Sequence, residues 1–192
     1  MRADTLETFL SVALDAAEHH ATDDRSRASL AMIRERLSDI PPGEHAADAE
    51  MPPVVSQWLG PALRNAPQAP RLAPLLQAIR HIAPELRWSP KPSASEEVRE
   101  RHANAMLVGP GGWENRPDVW IGLSLLAPDL RYPDHDHAPE ETYLVLSGGE
   151  FRVGTPDWFT PGPGGSFYVP PGYEHAMRSG EEPLLALWML KA

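Results

Sequence analysis

The chain has 192 residues, enough for one domain with a sizeable core and too few for a multidomain machine. Its 27 acidic against 17 basic side chains leave a formal charge of −10, which excludes the electrostatic attraction to nucleic acid or anionic lipid surfaces that basic proteins exploit. Cysteine is absent, so disulfides, thiolate nucleophiles, iron–sulfur clusters and Cys-based zinc sites are excluded together, and any metal must be held by His, carboxylate or phenolate.

The N-terminal segment has its apolar residues interrupted by Asp4, Glu7 and Asp15, so it lacks the apolar run of a secretion signal and a cytoplasmic location is expected. No window approaches the roughly 18 apolar residues of a membrane helix, so no membrane contact is expected either. Leu6, Phe9, Leu10, Ala13, Leu14 and Ala17 recur at helical spacing, and Asp4 with Glu7 reads as a capping box over the first turn. A second helix is predicted over residues 24–37, with Leu30, Ile33 and Leu37 on one stripe and Pro41 and Pro42 as the stop. Residues 41–92 hold 11 of the 22 prolines, and shorter helices around 58–64 and 72–82 fit between them. All four helices read as packing elements without chemistry of their own.

From about residue 103 the texture changes, with 12 of the 14 glycines falling in residues 101–192. Short runs rich in Val, Ile, Leu, Tyr and Trp predict strands at 104–108, 119–126, 141–146, 150–153, 166–169, 175–178 and 184–190. Seven short strands closing on themselves make a small β-barrel, so the expectation is a mainly β, jelly-roll-like single domain. Residues 1–102 form an N-terminal helical extension packing on a barrel at 103–192, and the chain is expected to be a monomer or homodimer.

The segment from Tyr132 to Tyr143 carries the chemistry. On an extended strand, side chains alternate with period two, so His135 and His137 share one side, and Glu141 and Tyr143 share a side on the next strand. If that side is the interior, the carboxylate is costly unless paired or bound to a cation. His175 follows the tight turn of Pro170, Pro171 and Gly172, and a β-barrel can bring it beside the first group. Such a set suits a divalent ion, Zn, Fe(II), Mn, Ni or Co, and affinity order alone does not choose among them. Asp134, Asp136, Glu140 and Glu174 alternate away from this side and are expected at solvent, while His19, His20, His45, His81 and His102 lie outside the motifs and are read as surface or helix residues.

At these residues the chain resembles the cupin superfamily. The first motif stands as His135-x-His137-x-x-x-Glu141 followed by Gly148, and the second as Gly164, then Pro170-x-Gly172-x-x-His175, with 15 residues between the two glycines. Two positions depart from the pattern: the leading glycine of the first motif falls at Asp129, and the trailing asparagine of the second at Ser179. Within cupins, Tyr132 and Tyr143 make the chain similar to the DddQ-type dimethylsulfoniopropionate (DMSP) lyases, small cupins with a helical N-terminal part. The resemblance implies that His137, Glu141, His175 and Tyr143 are metal ligands, and that Tyr132 and His135 line the same pocket. It also implies cleavage of a zwitterionic small molecule, DMSP, to dimethyl sulfide and acrylate by β-elimination, with a tyrosine as the base.

That reaction needs an electrophile on the carboxylate, a base for the adjacent proton and a pocket for the departing sulfide. Tyr143 is the first choice of base and Tyr132 the second. Trp188 and Tyr132, and more weakly Trp120, offer aromatic faces for the sulfonium group. Two further readings stay open on the residues: another metallocupin enzyme, an Fe(II) dioxygenase or isomerase, and a cupin that binds a small ligand without turning it over.

Overall fold

A computed structural model describes residues 2–39, 49–91 and 94–192. Helices α1 (Asp4–His20), α2 (Asp24–Leu37), α3 (Pro53–Asn65) and α4 (Ala73–Ile82) precede a short α5 (Glu96–Arg101) that sequence periodicity did not reveal. Helix α2 has the expected bounds because Asp23 caps it, its carboxylate accepting from the backbone N–H of Arg25 and Ser26. The expected stop at Pro41 and Pro42, like His45, lies outside the described residues. The capping box on α1 is corrected: Ala3 occupies the N-cap, Asp4 is already helical, and the Glu7 carboxylate accepts from Arg2 Nη1 at 2.6 Å. Helix α3 is longer than expected, since Pro53 starts it and Pro61 is accommodated inside it.

The predicted strands are present as β2 (His102–Val108), β3 (Val119–Leu126), β5 (Glu140–Val145), β6 (Glu150–Val153), β7 (Ser166–Val169), β8 (His175–Arg178) and β9 (Leu184–Lys191), joined by β1 (Trp88–Ser89) and β4 (Arg131–His135). They divide into two open antiparallel sheets, β1-β2-β3-β9-β5-β7 and β4-β8-β6, instead of one closed ring. The helical face of the larger sheet and helices α1 to α4 share one continuous apolar core, in which Leu6, Phe9, Ile33, Leu76, Leu123 and Leu187 are buried. The other face meets the smaller sheet around a second cluster that includes Tyr132, Tyr143, Phe151, Met177 and Trp188.

The two departures from the motif pattern meet in one turn. Among the described residues Asp129 is the one non-glycine residue with positive φ, at 50°, so the backbone there adopts the left-handed conformation that the family pattern gives to glycine. The Asp129 N–H donates to Gly180 O at 2.7 Å, and Ser179 Oγ accepts from Leu130 N–H and donates to Ala127 O at 2.6 Å. Ser179 thereby clasps the turn that launches β4.

Candidate functional site

Strand β4 delivers two site residues through a bulge. Tyr132 pairs with Met177 and His135 with His175, so three steps along β4 match two along β8. The extra residue falls at Pro133 and Asp134, where a missing proline N–H costs no ladder bond, and it turns Tyr132 and His135 toward the same cavity. Glu141 and Tyr143 reach that cavity by simple alternation along β5. His137 lies in the connection after β4, and His175 opens β8 after a turn in which Gly172 has φ 70°, a conformation that favours glycine. The Gly172 N–H donates to His137 O at 2.9 Å, so the two motifs are bonded directly to each other.

His137, Glu141 and His175 present ligand atoms that all lie within 4.8 Å of one another. Their tautomers follow from their neighbours. His137 Nδ1–H donates to Pro139 O at 2.8 Å and His175 Nδ1–H donates to Tyr173 O at 2.9 Å, because a carbonyl can only accept. Each ring then turns Nε2 toward one oxygen, Glu141 Oε2, at 3.1 and 3.2 Å respectively. Two neutral imidazole lone pairs against a carboxylate repel unless a positive charge joins them, and His175 Nε2 is buried without a hydrogen-bond partner. The separations match those of donors sharing one ion at bonds of about 2.0–2.1 Å. These residues fit a divalent cation by their donor set and by that orphaned nitrogen.

Burial would raise the Glu141 carboxyl, but the His137 and His175 rings facing it, in their protonated forms, outweigh it and hold its pKa below the usual range. His137 moves up: burial opposes its charged form, and the bond to Glu141 wins. His135, outside the three-residue cluster, is pushed down to about 4 by burial and then by the charges of His175 and Lys91. It packs against His175 at 4.1 Å between ring centroids, with its Nδ1–H on Pro133 O at 3.1 Å.

The two buried tyrosines line the same cavity as Glu141. Burial first, and then the Glu141 charge, raise the Tyr143 hydroxyl well above its ordinary value. Burial raises Tyr132 to about 12. A cation among the ligands would oppose both shifts. The Tyr132 ring is flanked by Lys91 Nζ at 5.0 Å over its face and His102 at 4.5 Å, while Tyr143 stacks on Phe167 at 5.0 Å. Among the described residues Trp188 carries no stacked ring or cation; its indole lies against Gly122, where a Cβ would come within 2.1 Å of the Trp188 ring.

Tyr132, His135, His137, Glu141, Tyr143 and Trp188 line one cavity of about 150 Å3, together with Trp120, Asn104 and Ser124. That is well below the roughly 300 Å3 at which drug-sized pockets begin, so the ligand is small. Asp134, Asp136 and Glu174 are exposed as expected, and Glu140 turns away from the cavity to Lys191 Nζ at 2.9 Å and Tyr168 O–H at 2.7 Å. His102 corrects the expectation of a surface or helix residue: it begins β2, is fully buried, and is held near pKa 4 by burial. Asn104, Ser124 and His102 carry no motif, and their common side on adjacent strands was the one signal available. A larger groove of about 750 Å3 between α1 and α4, lined by Thr5, Thr8, Val12, Pro74 and Ala78, brings no such cluster together.

Comparison with known proteins gives a consistent picture. The family model for dimethylsulfoniopropionate lyase matches residues 25–186. The dimethylsulfoniopropionate lyase DddQ of Ruegeria pomeroyi is 33% identical over 92 residues, covering 47% of this chain and 46% of that protein. A protein called DddL from Cereibacter sphaeroides is 29% identical over 166 residues, covering 82% of this chain and 65% of that one. The chain thus matches between about half and two thirds of the length of these curated relatives. A structure reported for the DMSP lyases RdDddP and RnDddQII superposes with TM-score 0.71 at 25% identity, covering 98% of this chain and 92% of that one. The crystal structure of DddQ from Ruegeria pomeroyi DSS-3 shares the fold, with TM-score 0.75 at 20% identity over 99% and 93% of the two chains. No helix among the described residues is long and apolar enough to cross a membrane.

Proposed function

Because the chain belongs to the dimethylsulfoniopropionate lyase family, we propose that it is a metal-dependent carbon–sulfur lyase that cleaves DMSP to dimethyl sulfide and acrylate. The observation that carries the reading is the convergence of His137, Glu141 and His175 on one point, with Tyr143 lining the same cavity as Glu141. In this reading His137, Glu141, His175 and Tyr143 hold a divalent ion, Zn or Fe(II) first and Mn, Co or Ni as alternatives. When bound, the ion would supply a Lewis acid for the substrate carboxylate, which acidifies the adjacent C–H.

Tyr143 Oη is the first candidate to take that proton, and Tyr132 Oη the second. As the C–H bond breaks, its electrons form the carbon–carbon double bond of acrylate. The carbon–sulfur bond breaks with its pair on sulfur, and neutral dimethyl sulfide leaves. Trp188 offers the aromatic face for the sulfonium, which has a positive charge but no hydrogen to donate. Tyr132 adds its hydroxyl to the substrate pocket, and His135, neutral at pH 7, lines it beside the ligands.

The test is anaerobic incubation of metal-loaded protein with DMSP and measurement of dimethyl sulfide in the headspace. Dimethyl sulfide released without oxygen supports the lyase and argues against a dioxygenase. No release with any of Zn, Fe(II), Mn or Co overturns the reading. Tyr143→Phe keeps the fold and loses most turnover; activity near wild type would move the base to Tyr132.

A further inference from the structure

A glycine stands in the middle of the sheet face that borders the cavity. Gly122 of β3 lies directly opposite Trp188 of β9, and on the other side of β9 Trp188 lies opposite Tyr143 of β5. The indole between them leans to one side only. Its benzo ring lies over Gly122, where a Cβ would meet it at 2.1 Å, and its Nε1–H donates to Ser124 Oγ at 3.1 Å, two residues further along β3. Because β9 runs between β3 and β5, an indole that leans over β3 leaves the space beside Tyr143 open.

Both supports of this pose are built into the sheet. A Cβ at position 122 would also come within 2.5 Å of Ala105 O on β2, a backbone atom that cannot turn aside. Ser124 is buried, and its Oγ takes the indole proton and gives its own to Asn104 Oδ1, an oxygen that His102 Nε2 meets at 3.0 Å. Leaving the indole donor without that oxygen would be unfavourable, by about 3- to 10-fold in the balance between ring orientations.

We propose that Gly122 and Ser124 set the size of the group that the site accepts at sulfur. The glycine gives the indole room over β3 and the serine holds it there. The cavity of about 150 Å3 that Trp188 lines with Tyr132 and Tyr143 then takes two S-methyl groups and turns away longer S-alkyl chains. Ser124 is a positioning residue that acts through Trp188. The inference deepens the lyase reading and rests on it for the substrate.

The probes are DMSP and its S,S-diethyl analogue, each given to the metal-loaded protein, with dimethyl or diethyl sulfide measured in the headspace. Wild type is expected to favour DMSP in kcat/KM by about 10-fold or more, the scale for added methylenes in an apolar pocket. Gly122→Ala meets backbone as well as the indole, so Trp188→Leu and Ser124→Ala carry the test. Trp188→Leu removes the leaning ring; kcat/KM falls for both substrates, and the preference for DMSP narrows about 10-fold. Ser124→Ala frees the indole to turn toward Tyr143 and is expected to lower kcat/KM for DMSP about 3- to 10-fold, with bound metal unchanged. In the Trp188→Leu background the same serine change is expected to cost less than about twofold. An undiminished serine effect without the indole overturns the proposal, and so does a preference that Trp188→Leu leaves unchanged.

The Trp188 Nε1–H signal in 15N-correlated NMR spectra, identified by its absence from Trp188→Leu, gives a readout that needs no turnover. It is expected to shift and to exchange faster with solvent in Ser124→Ala. A signal that stays in place overturns the proposal even where activity is lost. Wild type that releases neither sulfide overturns the lyase reading and the size role with it, whereas equal kcat/KM for the two substrates overturns the size role alone.

Discussion

The two faces of the larger sheet are built from the same strands, yet they carry different physics. Along β9, Leu185, Leu187 and Met189 enter the helical core, while Leu184, Ala186, Trp188 and Leu190 face the smaller sheet. Along β3, Ile121, Leu123 and Leu125 point to the helices and Gly122 and Ser124 to the cavity side. Strand β5 repeats the rule, with Leu144 in the helical core and Glu141 and Tyr143 at the site. Stability is concentrated on one parity and chemistry on the other, so adjacent residues should give opposite phenotypes.

The largest effect expected separates two neighbouring glutamates. Glu141→Ala removes the carboxylate on which both histidines converge, and bound metal should be lost with a fall in turnover of the order of 1,000-fold, equivalent to about 4 kcal/mol. Glu140→Ala breaks only the contacts to Lys191 and Tyr168 and should keep both metal and turnover. Metal analysis and headspace assays on the two variants check this; metal loss confined to Glu140→Ala would invert the parity and with it the site.

A smaller effect is expected from the other face. Leu123 is fully buried among the helices, and Leu123→Ala should cost about 2–5 kcal/mol through lost burial and the cavity left behind. Denaturant unfolding should show that loss, while kcat per folded molecule stays within about twofold of wild type. A large fall in kcat with little loss of stability would mean that the helical face is coupled to the site.

Much of this parity is legible in the sequence, because alternation along a strand is a local property. The spacing of His135, His137, Glu141 and His175 placed all four in one group, and the Leu30, Ile33 and Leu37 stripe placed α2. What escaped depends on partners far along the chain. The bulge at Pro133 exists only relative to β8, and α3 continues through Pro61 where a local rule would end it. His102 looked like a surface residue because nothing near it in sequence shows that β3 and Tyr132 will enclose it. The left-handed turn at Asp129 is the reverse case, where a departure from a familiar pattern keeps its backbone shape by using a residue that tolerates positive φ.

The finest expected difference between the two faces is in their response to acid. His102 is fully buried and has a folded-state pKa of about 4 against an ordinary 6.5, first because burial disfavours its charge and then because Lys91 repels it, against the bond to Asn104. The folded pKa lies below the unfolded one, so between pH 6.5 and 4 the unfolded chain takes up a proton that the folded chain refuses. The stabilising contribution is therefore complete above pH 6.5 and is lost as pH falls toward 4, by up to roughly 3 kcal/mol. His102→Gln cannot take up that proton, and its unfolding free energy should fall less steeply than wild type across this window. Leu123→Ala should lower the whole curve and keep the wild-type slope. Equal slopes in wild type and His102→Gln would mean that His102 titrates normally, and the polar face would then be no more sensitive to acid than the apolar one.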